Sequence, residues 1–318
     1  YGKLRPYLKN WLHPNFNGIA LGDFWVLQAK NCDSTFLFSL VQSPKFQRVA
    51  NDTSGTKMPR SDWKTVSQTE FSIPPSNNEQ FAIGSLFRTL DDLLVSYKVN
   101  LANYRSLKAT MLSKMFPKVG QTVPEIRLDG FERKWEKKKL IDLVSPVSRK
   151  VKKPSNPYYR LSIRSHAKGT FKQFVDDPKK IAMDNLFEVK ENDLVVNITF
   201  AWERALAVTN DEDQDKLVSH RFPQFKPNND LVIDFFKHTL MDKRFKHHLE
   251  LSSPGGAGRN KVLKVADMLK YELLVPSIKE QNKISSFLNH VDYIITLHQR
   301  KLDHLQLQKK ALLQQMFV

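Results

Sequence analysis

The chain has 318 residues, of which 41% are hydrophobic and 26% charged, and its mean hydropathy of −0.45 indicates a globular protein with an apolar core. A single cysteine, Cys32, excludes a disulfide framework and a multi-cysteine metal site, and no apolar run reaches the roughly 18 residues of a membrane span. The net charge of +17, from 50 Lys and Arg against 33 Asp and Glu, indicates a polyanionic partner, with nucleic acid ahead of an acidic membrane surface.

Residues 1–74 are predicted to be the final part of a globular domain. Their opening, Tyr-Gly-Lys-Leu-Arg-Pro-Tyr-Leu, is typical of the middle of a strand-rich domain. A turn, Thr-Ser-Gly-Thr-Lys-Met-Pro-Arg, follows at residues 53–60. Lys57 and Arg60 in this turn are candidates for contact with DNA, because cationic side chains on loops bind phosphates and base edges.

A repeated phrase opens the next segment. Pro-Ser-Asn-Asn-Glu-Gln-Phe-Ala-Ile at residues 75–83 returns as Pro-Ser-Ile-Lys-Glu-Gln-Asn-Lys-Ile at residues 276–284, an offset of 201 positions. Over residues 75–116, 12 of 42 positions are identical at that offset, which indicates a duplicated unit. Ser76 with Glu79 and Ser277 with Glu280 fit a capping box, so each copy is predicted to begin a helix.

An apolar seam runs along both predicted helices with alternating spacings of four and three residues. Each helix spans about 40 residues without proline, or on the order of 60 Å. We expect the two helices to pack on each other, and to do so antiparallel if a pseudo-two-fold axis relates the copies. Lys108 and Lys309 interrupt the seams at equivalent positions and are predicted to fix the register. The seam residues proposed for the coiled-coil and partner interface, besides these lysines, are Ile83, Phe87, Leu90, Leu94, Leu101, Ile284, Leu288, Ile295, Leu302 and Leu305.

The same offset bears on the extent of the chain. A unit that runs from about Phe116 to Phe317 predicts that its predecessor begins about 85 residues before Tyr1. The sequence therefore leads us to expect a fragment or a truncated variant, whose first globular half is incomplete.

Residues 117–275 are predicted to form a second, mixed α+β domain. Pro117, Gly120, Pro124 and Gly130 punctuate its start. Nine basic residues and two acidic ones lie between Arg133 and Lys153, and an aromatic and cationic stretch follows, as on phosphate-binding surfaces. Residues 193–200 have the composition of a strand, residues 230–251 have helical spacing, and residues 253–261 form a glycine-rich turn. The candidates for DNA contact are Arg160, Arg164, Lys168, Arg204, Arg259, Asn260 and Lys261.

Two of these segments resemble a known family. Val-Pro-Glu-Ile-Arg-Leu-Asp-Gly-Phe-x-x-x-Trp-Glu at residues 123–136 resembles the opening of a half-repeat in specificity subunits of type I restriction-modification systems. Pro-Ser-x-x-Glu-Gln, followed by a long helix that ends Lys-x-x-Leu-Leu-x-x-Met-Phe, resembles the close of each half. The resemblance covers essentially the whole chain; the departure from the family pattern is that the beginning of the first half is absent.

The resemblance implies an architecture and a set of partners. Residues 1–74 would be the C-terminal part of a first target recognition domain, residues 117–275 a complete second one, and residues 75–116 and 276–318 an antiparallel coiled-coil spacer. The chain would bind a bipartite double-stranded DNA target and dock methyltransferase subunits, which a restriction-translocase subunit joins. It would be cytoplasmic, without a membrane partner, and without catalytic residues or cofactors of its own; S-adenosylmethionine, ATP and Mg²⁺ would belong to the partners.

Three other functions stay open from the residues alone. Asn156-Pro157-Tyr158-Tyr159 is a partial match to an adenine methyltransferase signature, but no glycine-rich cofactor motif accompanies it. Asp184, Glu188 and Lys190 match a nuclease metal site loosely. A coiled-coil adaptor would explain the helices but not the basic, aromatic-rich domain between them.

Overall fold

A computed structural model describes residues 1–52, 58–255 and 261–317 of the chain. The chain divides into two compact units, Tyr1–Ser106 with Tyr293–Val318 and Leu107–Asp292, called here the first and the second unit. The fold is mixed α+β, as predicted. The units divide inside the two long helices, so the domain boundaries predicted at residues 74, 116 and 275 stay predictions.

The described residues form nine helices and eleven strands. The helices are α1 (Ser34–Val41), α2 (Pro44–Ala50), α3 (Trp63–Ser67), α4 (Asn77–Lys114), α5 (Leu140–Leu143), α6 (Ile233–Thr239), α7 (Lys243–Leu251), α8 (Val265–Met268) and α9 (Ile278–Met316). The strands are β1 (Glu136–Lys139), β2 (Val144–Val147), β3 (Lys150–Lys152), β4 (Tyr158–Ile163), β5 (Thr170–Val175), β6 (Asn185–Glu188), β7 (Leu194–Val196), β8 (Leu206–Val208), β9 (Leu217–Val218), β10 (Gln224–Pro227) and β11 (Glu272–Val275).

The first unit is helical rather than strand-rich. Extended pairing among its described residues is limited to two isolated bridges, Gly2 with Phe24 and Leu4 with Arg60. A 3-10 turn, Pro6–Leu8, interrupts the opening segment, and the residues on either side of it have left-handed backbone conformations, with φ of 51° and 58°. Such a turn ends an extended run, so the prediction of a strand-rich segment at the start of the chain is wrong.

Short helices of the first unit begin at side-chain caps. The carboxylate of Asp33 accepts the backbone N–H groups of Thr35 and Phe36 at the start of α1. Ser43 and Asp62 cap α2 and α3 in the same way. Phe36 and Leu40 of α1 then pack into the apolar cluster of the long helices, which places α1 against them.

The two long helices pack antiparallel in each unit. In the first unit, the early part of α4 contacts the late part of α9; the rings of Phe87 and Phe317 lie 5.9 Å apart and those of Tyr97 and His298 lie 5.3 Å apart. In the second unit, the late part of α4 meets the early part of α9, where Met111 packs in the same cluster as the buried Ile284. The predicted antiparallel packing is therefore confirmed. Most of the predicted seam residues are buried, namely Phe87, Leu90, Leu94, Leu101, Ile284, Leu288, Leu302 and Leu305, whereas Ile83 and Ile295 are half-buried.

Both seam lysines form ion pairs with the opposite helix. In the second unit, Lys108 Nζ lies 2.6 Å from Asp292 Oδ1. In the first unit, Lys309 pairs with Asp91 and also donates to Gln42 Oε1 at 2.6 Å. Each polar interruption thus has a specific carboxylate partner, which explains how a charged group is accommodated within an apolar stripe.

The repeated glutamine makes equivalent contacts in the two units. Gln80 accepts the backbone N–H of Asp33 at 2.9 Å and donates to Pro74 O at 2.7 Å. Gln281 accepts the N–H of Val232 at 2.8 Å and donates to Pro276 O at 2.9 Å. Both glutamines are buried. Each one ties the start of its long helix to the start of a short helix, α1 or α6, respectively.

The capping boxes are only half formed. Ser76 and Ser277 accept the backbone N–H of Glu79 and Glu280 at 3.5 and 3.4 Å, as predicted. The side chain of Glu280 does not return to its cap, because its buried carboxylate binds the guanidinium of Arg127 through two 2.8 Å hydrogen bonds.

Three sheets form the framework of the second unit. The strand orders are β2-β10-β7-β8, β3-β6-β9-β4-β5 and β1-β11, and β4 with β9 is a parallel pair. Leu161, Val195 and Val218 belong to an apolar core between the four-stranded and the five-stranded sheets. The other face of the four-stranded sheet, with Leu194 and Phe225, packs against α6, α7 and α9. The helical spacing noted at residues 230–251 corresponds to two helices, α6 and α7, because Asp242 caps a new start at α7.

Within the described ranges, no helix combines the length and the apolar character needed to cross a bilayer.

Candidate nucleic-acid interface

Three of the predicted DNA contacts, Arg160, Arg164 and Lys168, lie on the hairpin of β4 and β5. Arg160 faces Gln173 across the strands and donates to its Oε1 at 2.7 Å, which holds the guanidinium along the sheet. Arg164 follows the end of β4; it donates to Thr170 O, and its Cζ lies 5.1 Å from the ring centroid of Phe171. The side chain of Arg164 is exposed, so it remains available to an anion on its open side.

The turn of this hairpin displays two further side chains. His166 and Lys168 are both exposed. The backbone is left-handed at His166, Ala167 and Gly169, with φ of 64°, 53° and 80°. Glycine adopts such a conformation readily, but residues with a β-carbon do so only where neighbouring contacts hold them.

A second loop meets the hairpin turn. It joins β7 to β8 and contains the 3-10 helix Ala201–Glu203. Glu203 O accepts the N–H of His166 at 2.7 Å, and Arg204 O accepts the N–H of Ala167 at 2.8 Å. The Glu203 carboxylate also accepts the hydroxyl of Ser165 at 2.8 Å. Loops from two different sheets are therefore fixed to one another.

Arg204 and Lys261 lie at this second loop. The ammonium of Lys261 lies 5.1 Å from the ring centroid of Trp202, a cation–π contact. Arg204 donates to Met241 O at 3.1 Å. The structure thus gathers Arg164, Lys168, Arg204 and Lys261 around the joined loops, as expected of a site that binds phosphates through several cations.

The other predicted DNA contacts are placed differently. Lys57, Arg259 and Asn260 lie outside the described residues. Arg60 belongs to the first unit, where it forms an exposed ion pair with Asp23, 3.5 Å from Nη2 to Oδ1.

Two exposed side chains at this site, His220 and Arg221, were not predicted from the sequence. Arg221 O accepts the N–H of Ile198 at 3.1 Å, and Ile198 O accepts the N–H of Leu263 at 2.9 Å. His220 and Arg221 are exposed beside the loop that carries Arg204. They lie 45 or more residues after the hairpin in the chain, and no local pattern distinguishes them from other turn residues.

The basic stretch between Arg133 and Lys153 is engaged partly within the protein. Lys137 pairs with Glu272, and Lys138 Nζ lies 2.8 Å from Asp230 Oδ2. The hydrogen bond that Lys138 donates to Asp230 raises the pKa of Lys138. Arg149 binds the buried carboxylate of Asp193. These cations stabilise the second unit, so the stretch is not one continuous phosphate-binding surface.

Two of the three groups that suggested a nuclease, Glu188 and Lys190, form an ion pair. Lys190 Nζ lies 2.7 Å from Glu188 Oε1 and 2.7 Å from Asp215 Oδ1. The hydrogen bond with Asp215 raises the pKa of Lys190, and the pKa of Asp215 is lowered in turn. In the part of the chain that the structure describes, no group of three or more His, Cys, Asp or Glu side chains is arranged to hold a metal ion.

The partial methyltransferase signature lies at the start of β4. Tyr158 is buried in the core beneath the five-stranded sheet, with Val175, Leu186 and Leu217. Burial raises the pKa of its hydroxyl. A side chain in this position packs the sheet and does not line an open cleft.

Comparisons with known proteins agree with one another. Residues 132–307 match the family model described as type I restriction modification DNA specificity domain. No curated protein sequence matches the chain. Among solved structures, the HsdS subunit from Thermoanaerobacter tengcongensis is similar at 16% identity and a TM-score of 0.50, over 88% of this chain and 68% of that one.

Two further solved structures share the fold. The S subunit of a type I restriction-modification system from M. genitalium has 14% identity and a TM-score of 0.54, over 91% of this chain and 73% of that one. A chain from a structure that concerns complex assembly and conformational transition of a type I R-M system has 18% identity and a TM-score of 0.50, over 98% of this chain and 79% of that one.

Proposed function

The chain belongs to the family of type I restriction-modification specificity subunits, which are not enzymes, and on that premise we propose that it selects the DNA sequence on which partner subunits act. Its ligand is double-stranded DNA. The observation that supports this proposal most directly is the meeting of the β4–β5 turn with the β7–β8 loop, where Arg164, Lys168, Arg204 and Lys261 gather. Phosphate contacts from such cations supply affinity and orientation, and neighbouring side chains supply base discrimination.

We further propose that the recognised sequence has two parts. The sequence of the long helix occurs twice in the chain, at an offset of 201 residues. In specificity subunits of this family, each such helix is expected to accompany one recognition domain. In this proposal, the second unit recognises one part of the target through the joined loops. The first unit, with Lys57 and Arg60, contributes to the other part.

Methyltransferase subunits are the proposed partners of the long helices. In the first unit, α4 exposes large apolar side chains that α9 does not cover, including Val95 and Val99, at 60% and 53% exposure. On α9, Tyr293 and Leu297 are similarly exposed. Apolar side chains in a row on an exposed helix face are typical of a surface that a partner covers. A restriction-translocase subunit would join this assembly, and S-adenosylmethionine, ATP and Mg²⁺ would bind to the partners.

Binding of the full chain to DNA at increasing salt tests the proposal. A protein that neutralises several phosphates loses affinity linearly in a plot of log K against log salt, with a slope of about −0.9 per contacted phosphate. We expect a steep slope and a preference for some duplex sequences over others. A coiled-coil adaptor would show almost no binding at any salt concentration, and that outcome would exclude DNA recognition.

Sequencing of methylated bases in a host that carries the whole system tests the two-part target. We expect methylated adenines in a motif with two specific parts and an unspecified gap. A continuous motif, or methylation that does not depend on this chain, would contradict the proposal.

A further inference from the structure

The turn of the β4–β5 hairpin is fixed on both sides. On one side, Glu203 and Arg204 accept the N–H groups of His166 and Ala167, and the Glu203 carboxylate accepts the Ser165 hydroxyl. On the other side, the hydroxyl of Thr170 lies 2.9 Å from both carboxylate oxygens of Asp213, which is itself buried. These contacts anchor the turn to two other segments of the second unit.

The anchors hold a backbone conformation that the turn residues do not favour by themselves. His166 and Ala167 carry β-carbons and yet have φ of 64° and 53°. Left-handed geometry at such residues persists only where surrounding contacts impose it, and it tends to occur where a side chain must be presented in one direction. The side chain presented here is the exposed imidazole of His166, with Lys168 two residues further on.

We propose that His166 contacts a base edge in the DNA and determines sequence at one base pair, and that Glu203 is the positioning residue that holds it there; this inference rests on the proposed function. An imidazole offers one donor and one acceptor when neutral, which suits the donor and acceptor pattern of base edges in the major groove. Lys168, Arg204 and Lys261 surround this residue as cations that bind phosphates on any sequence.

Glu203 has this positioning role because it acts on the turn in two ways. Its backbone carbonyl and its carboxylate each accept a hydrogen bond, from neighbouring residues His166 and Ser165. Loss of the carboxylate contact removes one of the anchors of the turn without removing any cation near the DNA. Discrimination between bases then falls, whereas affinity for DNA of arbitrary sequence is preserved, because the phosphate contacts that supply it remain.

The test is a selection followed by a titration, both with the full chain. The wild-type protein is bound to a library of duplexes with randomised positions, and the recovered sequence is then titrated beside duplexes that each carry one substituted base pair. The variants are His166→Ala, Ser165→Ala and Glu203→Ala. Glu272→Ala is the matched control, because it removes the same charge from an exposed ion pair on β11, outside the joined loops.

We expect His166→Ala to reduce discrimination at one base pair by about 5- to 100-fold, the range for loss of a base contact. Ser165→Ala and Glu203→Ala should reduce discrimination at that same base pair by about two- to tenfold, as for one lost hydrogen bond. Affinity for unrelated duplexes should change by less than about twofold in all three variants, and Glu272→Ala should retain both discrimination and affinity. His166 is exposed, so its replacement leaves the fold intact, and circular dichroism checks this for every variant.

The possible failures are distinguishable. If the wild-type chain recovers no preferred sequence, the proposed function fails and this inference fails with it. If the wild type recovers a sequence and the three variants discriminate as well as the wild type does, only the inference is overturned. A loss of affinity that is equal on every duplex would make His166 a phosphate contact and would likewise overturn it.

Discussion

Arg127 neutralises the buried carboxylate of Glu280. Glu280 is 1% exposed, and it accepts two hydrogen bonds from Arg127 and one, at 3.3 Å, from Trp135 Nε1. Removal of one partner from a buried ion pair leaves an uncompensated charge, which destabilises a protein by about 3–5 kcal/mol. We therefore expect Arg127→Ala to lower the free energy of unfolding by that amount, measured by denaturant titration.

A matched variant separates this effect from the general loss of a surface charge. Lys118 forms an exposed ion pair with Glu125, at 3.0 Å. Exposed pairs contribute little, so Lys118→Ala should change the free energy of unfolding by less than about 1 kcal/mol. Equal effects of the two substitutions would show that the Arg127 pair is not specially stabilising.

His238 gives the second unit a dependence on pH. Burial and, to a smaller extent, the charge of Lys108 lower the pKa of this histidine to about 4, and its Nε2 is buried without a hydrogen-bond partner. The unfolded chain, with a histidine pKa of about 6.5, binds the proton more readily than the folded chain does. Stability is therefore fully present above about pH 6.5 and is lost as the pH falls toward 4, by about 3 kcal/mol.

Unfolding of the wild type and of His238→Leu between pH 4 and pH 7 measures this effect. The difference in unfolding free energy between the two proteins should change by about 3 kcal/mol over that range, with the wild type losing more stability on the acidic side. Carboxylates that titrate in both proteins cancel in the difference. Parallel pH curves for the two proteins would contradict the assignment.

At the scale of elements, α4 crosses α1 at a position where only glycine fits. A β-carbon added at Gly84 would lie 2.0 Å from Thr35 Oγ1 and 2.6 Å from the backbone nitrogen of Phe36. The backbone nitrogen cannot move aside without a shift of α1. We expect Gly84→Ala to destabilise the protein by about 1–3 kcal/mol, although alanine favours helix more than glycine does.

Thermal unfolding of Gly84→Ala beside Ser96→Ala tests this contact. Ser96 is exposed on the same helix, so its replacement by alanine should be neutral or slightly stabilising. A Gly84→Ala variant at least as stable as the wild type would show that the two helices can separate without loss.

The seam of the long helices was predictable because it depends only on the spacing of apolar residues within each helix. The spacing of Phe87, Leu94 and Leu101 requires no knowledge of the rest of the chain, and these side chains are buried as that spacing predicts. The role of Gln80 and Gln281 was not predictable, since each one accepts a backbone N–H from a segment about 50 residues away. Likewise, Glu280 was assigned to its own cap because its true partner lies 153 residues earlier in the chain.

The strand assignments show the same limit. The strand predicted within residues 193–200 is β7, a local run of apolar residues, but β9 has two residues and pairs with both β4 and β6. The contact of Glu203 with the turn at His166 depends on how the two sheets pack. No local pattern in the sequence predicts it, and for that reason the candidate cations were identified individually without the loops that bring them together.

At the scale of the whole molecule, assembly is the property most open to test. If methyltransferase subunits cover the exposed face of α4, a Val95→Glu and Val99→Glu double variant should no longer copurify with them, because two charges would be buried against an apolar partner. The fold should be retained, since both valines are exposed. Copurification from cells that express all subunits measures the effect.

Asn100→Glu supplies the control, since it places one charge at an exposed position on a different face of the same helix. This variant should assemble normally. If the double variant also assembles normally, the partners bind elsewhere. Loss of assembly in both variants would indicate a general effect of negative charge instead.

The net charge of +17 constrains the molecule as a whole but does not indicate which cations serve DNA. In the second unit, part of the excess is neutralised internally, through pairs such as Arg149 with Asp193. The function class followed from composition and from family resemblance, whereas the site needed the three-dimensional contacts between loops.

The two reciprocal ion pairs between lysine and aspartate on the long helices have an evolutionary consequence. Lys108 binds Asp292, and Lys309 binds Asp91. The two lysines are 201 positions apart in the sequence, and so are the two aspartates. A gene in which recombination copies one repeat over the other would therefore encode the same two bridges. Exchange of the globular segments would leave both bridges unchanged, because all four residues lie on the long helices.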